Sequence, residues 1–327
     1  MRTSLCSWIV GALVAGGAAA LAGTAAAQGW KPERNVELTI PTSPGGSNDI
    51  AGRTIHKLWG ELKLLPVTSS VVNRSGGEHI VAYTYIQSRA GDPHHIGLMS
   101  TPMLLNAIGG RTQLTHNDLT PIAYLITEPM VAVVRVDSPI KTGRDLVEAL
   151  AKDPGAYSIA LTSNGHRISV GMPMHKAGVN ARAVRMPAFK GGGETAMAVL
   201  GGHADVQITS VSTSVPHVTG GQMRAIAISS NNRLGGVMAS VPTWRELGYP
   251  SSGSWKGIVA PKGLTPAQIA FWEDVMRRTA QSDEILQYAE KNLWLVEFKG
   301  SAETRKWLDD EAAALKLIMT ELGLVRQ

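Results

Sequence analysis

Short apolar strands alternate with amphipathic helices along most of this chain of 327 residues. The segments "VELTIP" (36–41) and "HIGLMS" (95–100) have the composition of buried strands. Between them, "DIAGRTIHKLWGEL" (49–62) places Ile55 and Leu58 at helical spacing. Strands that alternate with helices in this way are typical of α/β proteins. The sequence therefore predicts an α/β fold.

Several of the predicted strands end in a polar loop, rich in glycine or serine, that opens a helix. These loops lie at 43–49, 162–166 and 190–194. In open α/β sheets, ligands bind at the carboxyl ends of strands, beside helix N-termini. Such N-termini carry unpaired N–H groups and partial positive charge, which suits an anion. Two lobes that present these loops to each other would form an interdomain ligand cleft.

The beginning of the chain has the features of a secretory signal peptide, predicted over residues 1–27. An apolar, alanine-rich run from residue 8 to about 22 follows Arg2, and small residues at 25–27 offer a cleavage site. Cys6 is the only cysteine and lies within this segment, so the mature chain would contain none. Disulfides, thiol catalysis and cysteine-based metal sites are thereby excluded. We expect an exported protein of the bacterial periplasm.

Charge and motifs argue against several other classes of function. The formal net charge is +5, without a run of five like charges or a basic cluster with interleaved aromatics, so nucleic-acid binding is not predicted. Lys190 precedes the glycines at 191–193, the reverse of a Walker loop, so no nucleotide cofactor is predicted. The nine histidines include no His-Glu-x-x-His pattern, and no metal site is predicted.

Ordered motifs give the chain a resemblance to a known family. "TIPTSPGGSNDIAGR", "VVNRSGGEHIVA", "AFKGGGETAMAVLGGHADV" and "SWKGIVAPKGLTP" occur in the order in which similar motifs occur in the Bug-type periplasmic solute-binding receptors of tripartite tricarboxylate transporters. The resemblance covers roughly residues 30–325. It is carried by the ordered series and by no single motif.

This resemblance implies a type II periplasmic-binding-protein clamshell, in which two Rossmann-like lobes are joined by crossing hinge strands. Lobe 1 would comprise 28–130 and 256–327, and lobe 2 would comprise 131–255. The family holds small carboxylates through loop amides, hydroxyls and waters, and delivers them to membrane permease subunits. A monomer without a cofactor is expected.

The candidate ligand-binding residues lie in the loops that open helices or follow strands. Asp49 is predicted to cap a helix or to brace the first loop, and Arg53 to be its partner or a surface residue. Thr101-Pro102 is predicted as a turn. The residues predicted to line the site are Ser43, Gly45, Gly46, Ser47, Ser100, Thr101, Ser163, Asn164, His166, Gly191 and Ser210.

Two other functions remain open at this point. A ligand-sensing accessory protein of a membrane signalling kinase would have the same cleft. An exported hydrolase has less support, because "GGSND" has Asp49 where a nucleophile elbow needs glycine, and we predict no enzyme activity. The ligand also remains open among dicarboxylates, tricarboxylates, amino acids and aromatic acids. The lack of arginine in the loops favours one principal carboxylate.

Overall fold

The structure, a computed structural model, describes residues 29–325 except Gly46 and Lys190. The predicted signal peptide at 1–27 lies outside the described residues. Within them the chain forms strands β1 (Val36–Ile40), β2 (Ser69–Asn73), β3 (His95–Ser100), β4 (Thr120–Glu128), β5 (Met130–Arg135), β6 (Ile159–Ala160), β7 (Val206–Ser210), β8 (Met223–Ile228), β9 (Ser254–Ala260) and β10 (Leu295–Lys299). The helices are α1 (Ser47–Glu61), α2 (Ile80–Gln87), α3 (Pro102–Ile108), α4 (Gly143–Lys152), α5 (Asn164–Lys176), α6 (Gly192–Leu200), α7 (Val211–Thr219), α8 (Pro266–Ala280), α9 (Asp283–Asn292) and α10 (Ser301–Glu321).

The strands form two sheets, and each sheet is the centre of one lobe. The first lobe has six strands in the order β10-β4-β9-β3-β1-β2, and the second has four in the order β6-β7-β5-β8. In the first lobe, β1 pairs in parallel with β2 and β3, whereas β9 is antiparallel to β3 and β4. In the second lobe, β5 is antiparallel to β7 and β8. The predicted α/β class is confirmed.

Helices cover both faces of the first sheet, because its strands carry apolar side chains on both sides. On one face Leu38 packs with Trp272 of α8. On the other face Met99 and Leu308 of α10 belong to a second cluster, which also includes Ile168 of α5. Since α5 belongs to the second lobe, this cluster joins the two lobes.

The chain crosses between the sheets twice, and the two crossings pack backbone to backbone. The first lies between Glu128, the end of β4, and Met130, the start of β5. The second returns from β8 to β9 past Gly253, where an added Cβ would lie 3.1 Å from the Glu128 carbonyl oxygen. The predicted lobe limits at 130/131 and 255/256 stay predictions.

Local capping rules explain where several helices begin. Thr142 caps α4 by accepting a hydrogen bond from the Asp145 N–H, and Asp145 accepts from the Thr142 N–H in return. The prediction of a simple turn at Thr101-Pro102 was wrong, because Pro102 is the first residue of α3 and Thr101 its N-cap. Proline suits that position because its missing N–H would be unpaired there anyway.

Candidate ligand-binding site

A cavity of about 550 Å³ lies between the two lobes and is lined by residues of both. The first lobe contributes Asn48 and His79, among others, and the second lobe contributes Thr162 and Thr209. Glu128, at the first crossing, lies between the two sets. The cavity therefore occupies the place that the sequence predicts for an interdomain cleft.

Several helices begin at this cavity, and both lobes supply them. The N–H groups in the first turn of a helix have no hydrogen-bond partner within the helix, and the helix start carries partial positive charge. The lining residues that begin or cap helices are Ser47 of α1, Thr101 at α3, Ser163 at α5, Gly191 at α6 and Ser210 at α7. This arrangement favours a negatively charged group inside the cavity.

Most of the predicted site residues come together here. Those that line the cavity are Gly45, Ser47, Ser100, Thr101, Ser163, His166, Gly191 and Ser210. Gly46 lies outside the described residues. Ser43 is exposed in the first loop and Asn164 begins α5, and neither is among the described residues that line the cavity.

Asp49 holds the first loop in shape from inside helix α1. Its carboxylate accepts hydrogen bonds from the Gly45 N–H at 2.9 Å, from Arg53 Nε at 2.9 Å and from Asn73 Nδ2 at 2.7 Å. Burial by itself raises the pKa of Asp49, but these donors outweigh it and leave the pKa below its usual range. The prediction that Asp49 braces this loop, with Arg53 as its partner, is confirmed.

A buried ion pair lies at the crossing of the two lobes. Glu128 Oε2 accepts hydrogen bonds from Lys256 Nζ and from Ser47 Oγ, both at 2.6 Å. Burial raises the pKa of Glu128, but the Lys256 ammonium and these hydrogen bonds lower it more, so the pKa lies below its usual value. Because Lys256 is fully buried and Glu128 is 4% exposed, the two charges balance each other.

His166 is held by its own lobe on the cavity wall. Its Nδ1 lies 3.4 Å from the Thr162 nitrogen and 3.2 Å from Thr162 Oγ1. A hydrogen bond with the Ile208 backbone engages the ring as well. Burial lowers the pKa of His166 to about 4, against the opposing effect of Glu128, so the ring is neutral at pH 7.

His79 reaches the cavity from a left-handed turn that precedes α2. Gly76, Gly77, Glu78 and His79 have φ angles of 137°, 55°, 50° and 84°. His79 Nδ1 lies 3.2 Å from Ser100 Oγ, and burial lowers the pKa of the imidazole to about 4. His79 was not among the predicted site residues.

The sequence analysis also missed Glu128 and Lys256, although a signal for them exists. Each is a lone charge within an apolar strand segment, "YLITEPMV" and "SWKGIVA". Opposite charges inside two such strands indicate a buried pair, because an unpaired charge is rarely buried. For His79 the local sequence "GGEHI" offers only its two glycines as a sign of an unusual backbone.

Two larger hollows do not bring helix starts of both lobes together. One, of about 690 Å³, is lined by the first lobe alone, and its two acidic residues, Glu273 and Asp274, are balanced by Arg277 and Arg305. The other, of about 650 Å³, carries Glu297 and Glu311 with Arg245, beside Trp307. Across the described part of the chain, no group of three His, Cys, Asp or Glu residues is placed to hold a metal ion. Nor does any helix there combine the length and apolarity needed to cross a membrane.

Two α/β lobes joined by two crossings, with a polar cavity at the helix starts between them, define a two-lobed binding protein. The model of the tripartite tricarboxylate transporter family receptors (TctC) matches residues 60–324. The chain belongs to this family, and the resemblance seen in the sequence motifs is confirmed. The family and the fold are those of solute-binding receptors.

Relatives and solved structures agree with this assignment. The chain is 26% identical to protein BugT of Bordetella pertussis over 269 residues, which cover 78% of this chain and 79% of that protein. A TctC solute-binding protein from Polaromonas has a TM-score of 0.75 at 22% identity, covering 89% of this chain and 99% of that chain. MatC from Rhodopseudomonas palustris, with bound malate, has a TM-score of 0.72 at 21% identity, and the match covers 88% of this chain and 99% of that chain. An R. palustris protein with adipate has a TM-score of 0.76 at 20% identity, and the match covers 89% of this chain and 98% of that chain. The predicted two-lobed fold is thereby confirmed.

Proposed function

We propose that this chain is a periplasmic receptor that captures a small carboxylate between its lobes and delivers it to the permease subunits of a tripartite tricarboxylate-type transporter. It acts as a monomer and without catalysis. The observation that carries this proposal is the meeting of helix starts from both lobes at one cavity.

The charges around the cavity favour recognition by dipoles over recognition by a cationic side chain. Among the described residues that line it there is no lysine or arginine. The one carboxylate, Glu128, is neutralised by Lys256. A ligand carboxylate would therefore be held by backbone N–H groups at the helix starts, such as that of Ser47, and by hydroxyls such as that of Ser210. Each helix start contributes about 0.3–1 kcal/mol, and up to about 2 kcal/mol where it is partly buried.

The relatives support the class of ligand. The R. palustris proteins of the same fold were solved with malate and with adipate, both small carboxylates. A cavity of about 550 Å³ has the size of ordinary small-molecule sites. Delivery to a permease follows from the family, whose members are receptors of tripartite tricarboxylate transporters.

A binding screen tests the proposal. The purified mature protein is tested by thermal shift, then by calorimetry, against malate, adipate, citrate, glutamate, benzoate and nicotinate. A ligand at a hundred times its dissociation constant should stabilise the fold by about 2.7 kcal/mol. A panel without any binder would contradict the proposal.

A variant that fills the cavity shows where binding occurs. Gly191 lines the cavity and has an extended backbone with φ −161°, and an added Cβ would meet no atom within 4 Å. The side chain of Gly191→Leu should therefore occupy part of the cavity. We expect at least a tenfold loss of affinity with an unchanged fold. Gly60→Leu, at another open glycine on an exposed stretch of α1, is the matched control and should bind normally.

A further inference from the structure

We propose that His79 binds the ligand and that its protonation is coupled to this binding. Its imidazole donates a hydrogen bond to the ligand carboxylate and takes up a proton as the anion binds. This inference rests on the proposed function. It adds a specificity-determining residue and a dependence of ligand binding on pH.

The backbone at His79 has an unfavourable, left-handed conformation. Four successive residues have positive φ, and the last two, Glu78 and His79, are not glycine. A left-handed conformation is unfavourable for a non-glycine residue, because the Cβ approaches the following carbonyl oxygen. The turn is kept in place by Asn106, whose Nδ2 donates to the Glu78 carbonyl oxygen at 2.7 Å, and by the Arg111–Glu78 ion pair at 2.6 Å. Strain of this kind is concentrated at functional sites.

A short chain of hydrogen bonds leads from Asn48 through Ser100 to one ring nitrogen of His79. Asn48 Nδ2 donates to Ser100 Oγ at 3.3 Å, and Ser100 Oγ lies 3.2 Å from His79 Nδ1. Asn48 fills one of the two acceptor positions of the hydroxyl. In the proposed arrangement the Ser100 proton points to Nδ1, so the neutral ring carries its own proton on Nε2. Within the described residues Nε2 has no partner, and the ring lines the cavity.

The second cavity histidine does not compete for this role. His166 is engaged at Nδ1 by Thr162 and elsewhere on the ring by the Ile208 backbone. It therefore has no nitrogen left for a ligand without breaking contacts in its own lobe. Of these two imidazoles, only that of His79 offers a free donor to the cavity.

The groups around His79 leave the ring neutral until an anion arrives. From α2 it faces Tyr83, whose pKa burial raises to about 12. The nearest cation in the segment after α3 is Arg111, and its charge is paired with that of Glu78, the residue before His79. Among the described residues that line the cavity, the other titratable side chains are that of His166, which is neutral, and that of Glu128, which Lys256 neutralises.

The sign of the pH dependence follows from these neighbours. In the free protein the pKa of His79 is about 4. An opposite charge at contact distance raises a pKa by about 1–3 units, so the complex binds more protons than the free protein near neutral pH. Binding then strengthens as pH falls through the raised pKa and levels off below the free pKa of about 4.

Nitrogen NMR of the ring tests the geometry without any ligand. In protein labelled with ¹⁵N, His79 should show the tautomer protonated on Nε2. The opposite tautomer, with the proton on Nδ1, would overturn the proposed hydrogen-bond chain whether or not a carboxylate binds.

Calorimetry against pH tests the proton uptake. The monocarboxylate or dicarboxylate of the screening panel that binds most tightly is titrated between pH 8 and pH 6, where its carboxyl groups remain largely ionised. We expect up to about tenfold tighter binding at pH 6 than at pH 8, with proton uptake detected as a dependence of the heat on the buffer.

Matched substitutions assign the effect to one residue. His79→Gln keeps a donor but cannot be protonated, so the pH dependence should vanish. His203→Gln makes the same change at an exposed position outside the cavity and should leave the pH dependence intact. A pH dependence that survives in His79→Gln and vanishes in His166→Gln would overturn the assignment. Binding without any pH dependence overturns this inference alone, whereas a panel without a binder overturns the proposed function as well.

Discussion

Lys256 and Glu128 form a pair whose members depend on each other. Neither charge has enough access to water to be stable alone, since the exposed side-chain fractions are 0% and 5%. Their common position beneath the cavity also means that removing one partner would leave an uncompensated charge beside the ligand. The pair therefore matters both to the fold and to the charge of the site.

Lys256→Met should lower the free energy of unfolding by about 3–5 kcal/mol, because it leaves the Glu128 carboxylate buried and unpaired. Adding Glu128→Gln should restore much of that loss, since both charges are then absent and Ser47 keeps an acceptor. Urea denaturation of the wild type, both single variants and the double variant measures this coupling. Additive losses would contradict the interpretation.

The two cavity histidines predict how stability depends on pH. Both have pKa values of about 4 in the folded protein, against 6.5 for an ordinary histidine. Between these values the unfolded chain binds more protons, so the free energy of unfolding should decrease as pH falls from 6.5 towards 4. The decrease should be of the order of a few kcal/mol.

Urea denaturation at pH 7 and pH 5 measures this decrease. The double variant His79→Gln/His166→Gln should lose most of it, whereas the exposed control His203→Gln should keep it. Equal pH dependence in wild type and double variant would show that neither imidazole is desolvated in the folded state.

At the scale of single elements, the packing of β9 in the first sheet requires a glycine. An added Cβ at Gly257 would lie 2.3 Å from the Ala123 carbonyl oxygen and 2.5 Å from Met99 Cε. The first of these atoms belongs to the backbone of the neighbouring strand β4 and cannot move aside without disturbing the sheet.

Gly257→Ala should therefore destabilise the protein by about 1–3 kcal/mol, as overpacked cores do. Gly60→Ala, in an open position of α1, should instead stabilise it by about 0.5–1 kcal/mol, because alanine is the better helix former. Both changes are measured by urea denaturation. A tolerated alanine at 257 would show that β4 and β9 are less tightly packed than the structure has them.

Elements with strong local signals could be predicted from the sequence, and others could not. The strand at His95–Ser100 and helix α4 with its Thr142 cap follow from periodicity and capping chemistry. Helix α3 was missed because Pro102 favours both a turn and a first helical position. Strand β10 (Leu295–Lys299) was missed because it is a short, partly exposed edge strand whose partner β4 lies far away in sequence.

In the site, too, residues with a strong local signal could be predicted and the others could not. Loop residues such as Ser47, Ser163 and Ser210 could be predicted because helix starts are visible in a sequence. The sequence marks Glu128 as a charge to be paired but does not place it in the cavity, because its position depends on the crossing between the lobes. His79 could not be assigned, because it reaches the cavity from a left-handed turn. Such positions are set by tertiary structure and not by local pattern.

At the scale of the whole molecule, helix α5 couples the two lobes. Gly171 of α5 faces Leu322, at the end of α10, closely enough that an added Cβ would lie 2.7 Å from Leu322 Cδ1. Ile168 of α5 belongs to the core cluster of the first lobe. The lobes therefore share buried surface besides the two crossings.

We expect the two lobes to unfold in one transition in urea. Tryptophan fluorescence and circular dichroism should give coincident curves, since Trp272 is buried in the first lobe and Trp244 in the second. Leu322→Ala should cost about 2–5 kcal/mol and weaken this coupling. Two separate transitions in the wild type would show that the shared cluster does not couple the lobes.

The central claim is that helix starts of both lobes hold a carboxylate in the cavity between them. The most direct measurement is a crystal structure of the mature protein with the carboxylate that binds most tightly. We expect a ligand oxygen at about 2.7–3.2 Å from N–H or O–H donors of both lobes, including the loops at Ser47 and Ser163. A ligand held by one lobe alone, or seated in the hollow beside Trp307, would contradict the claim.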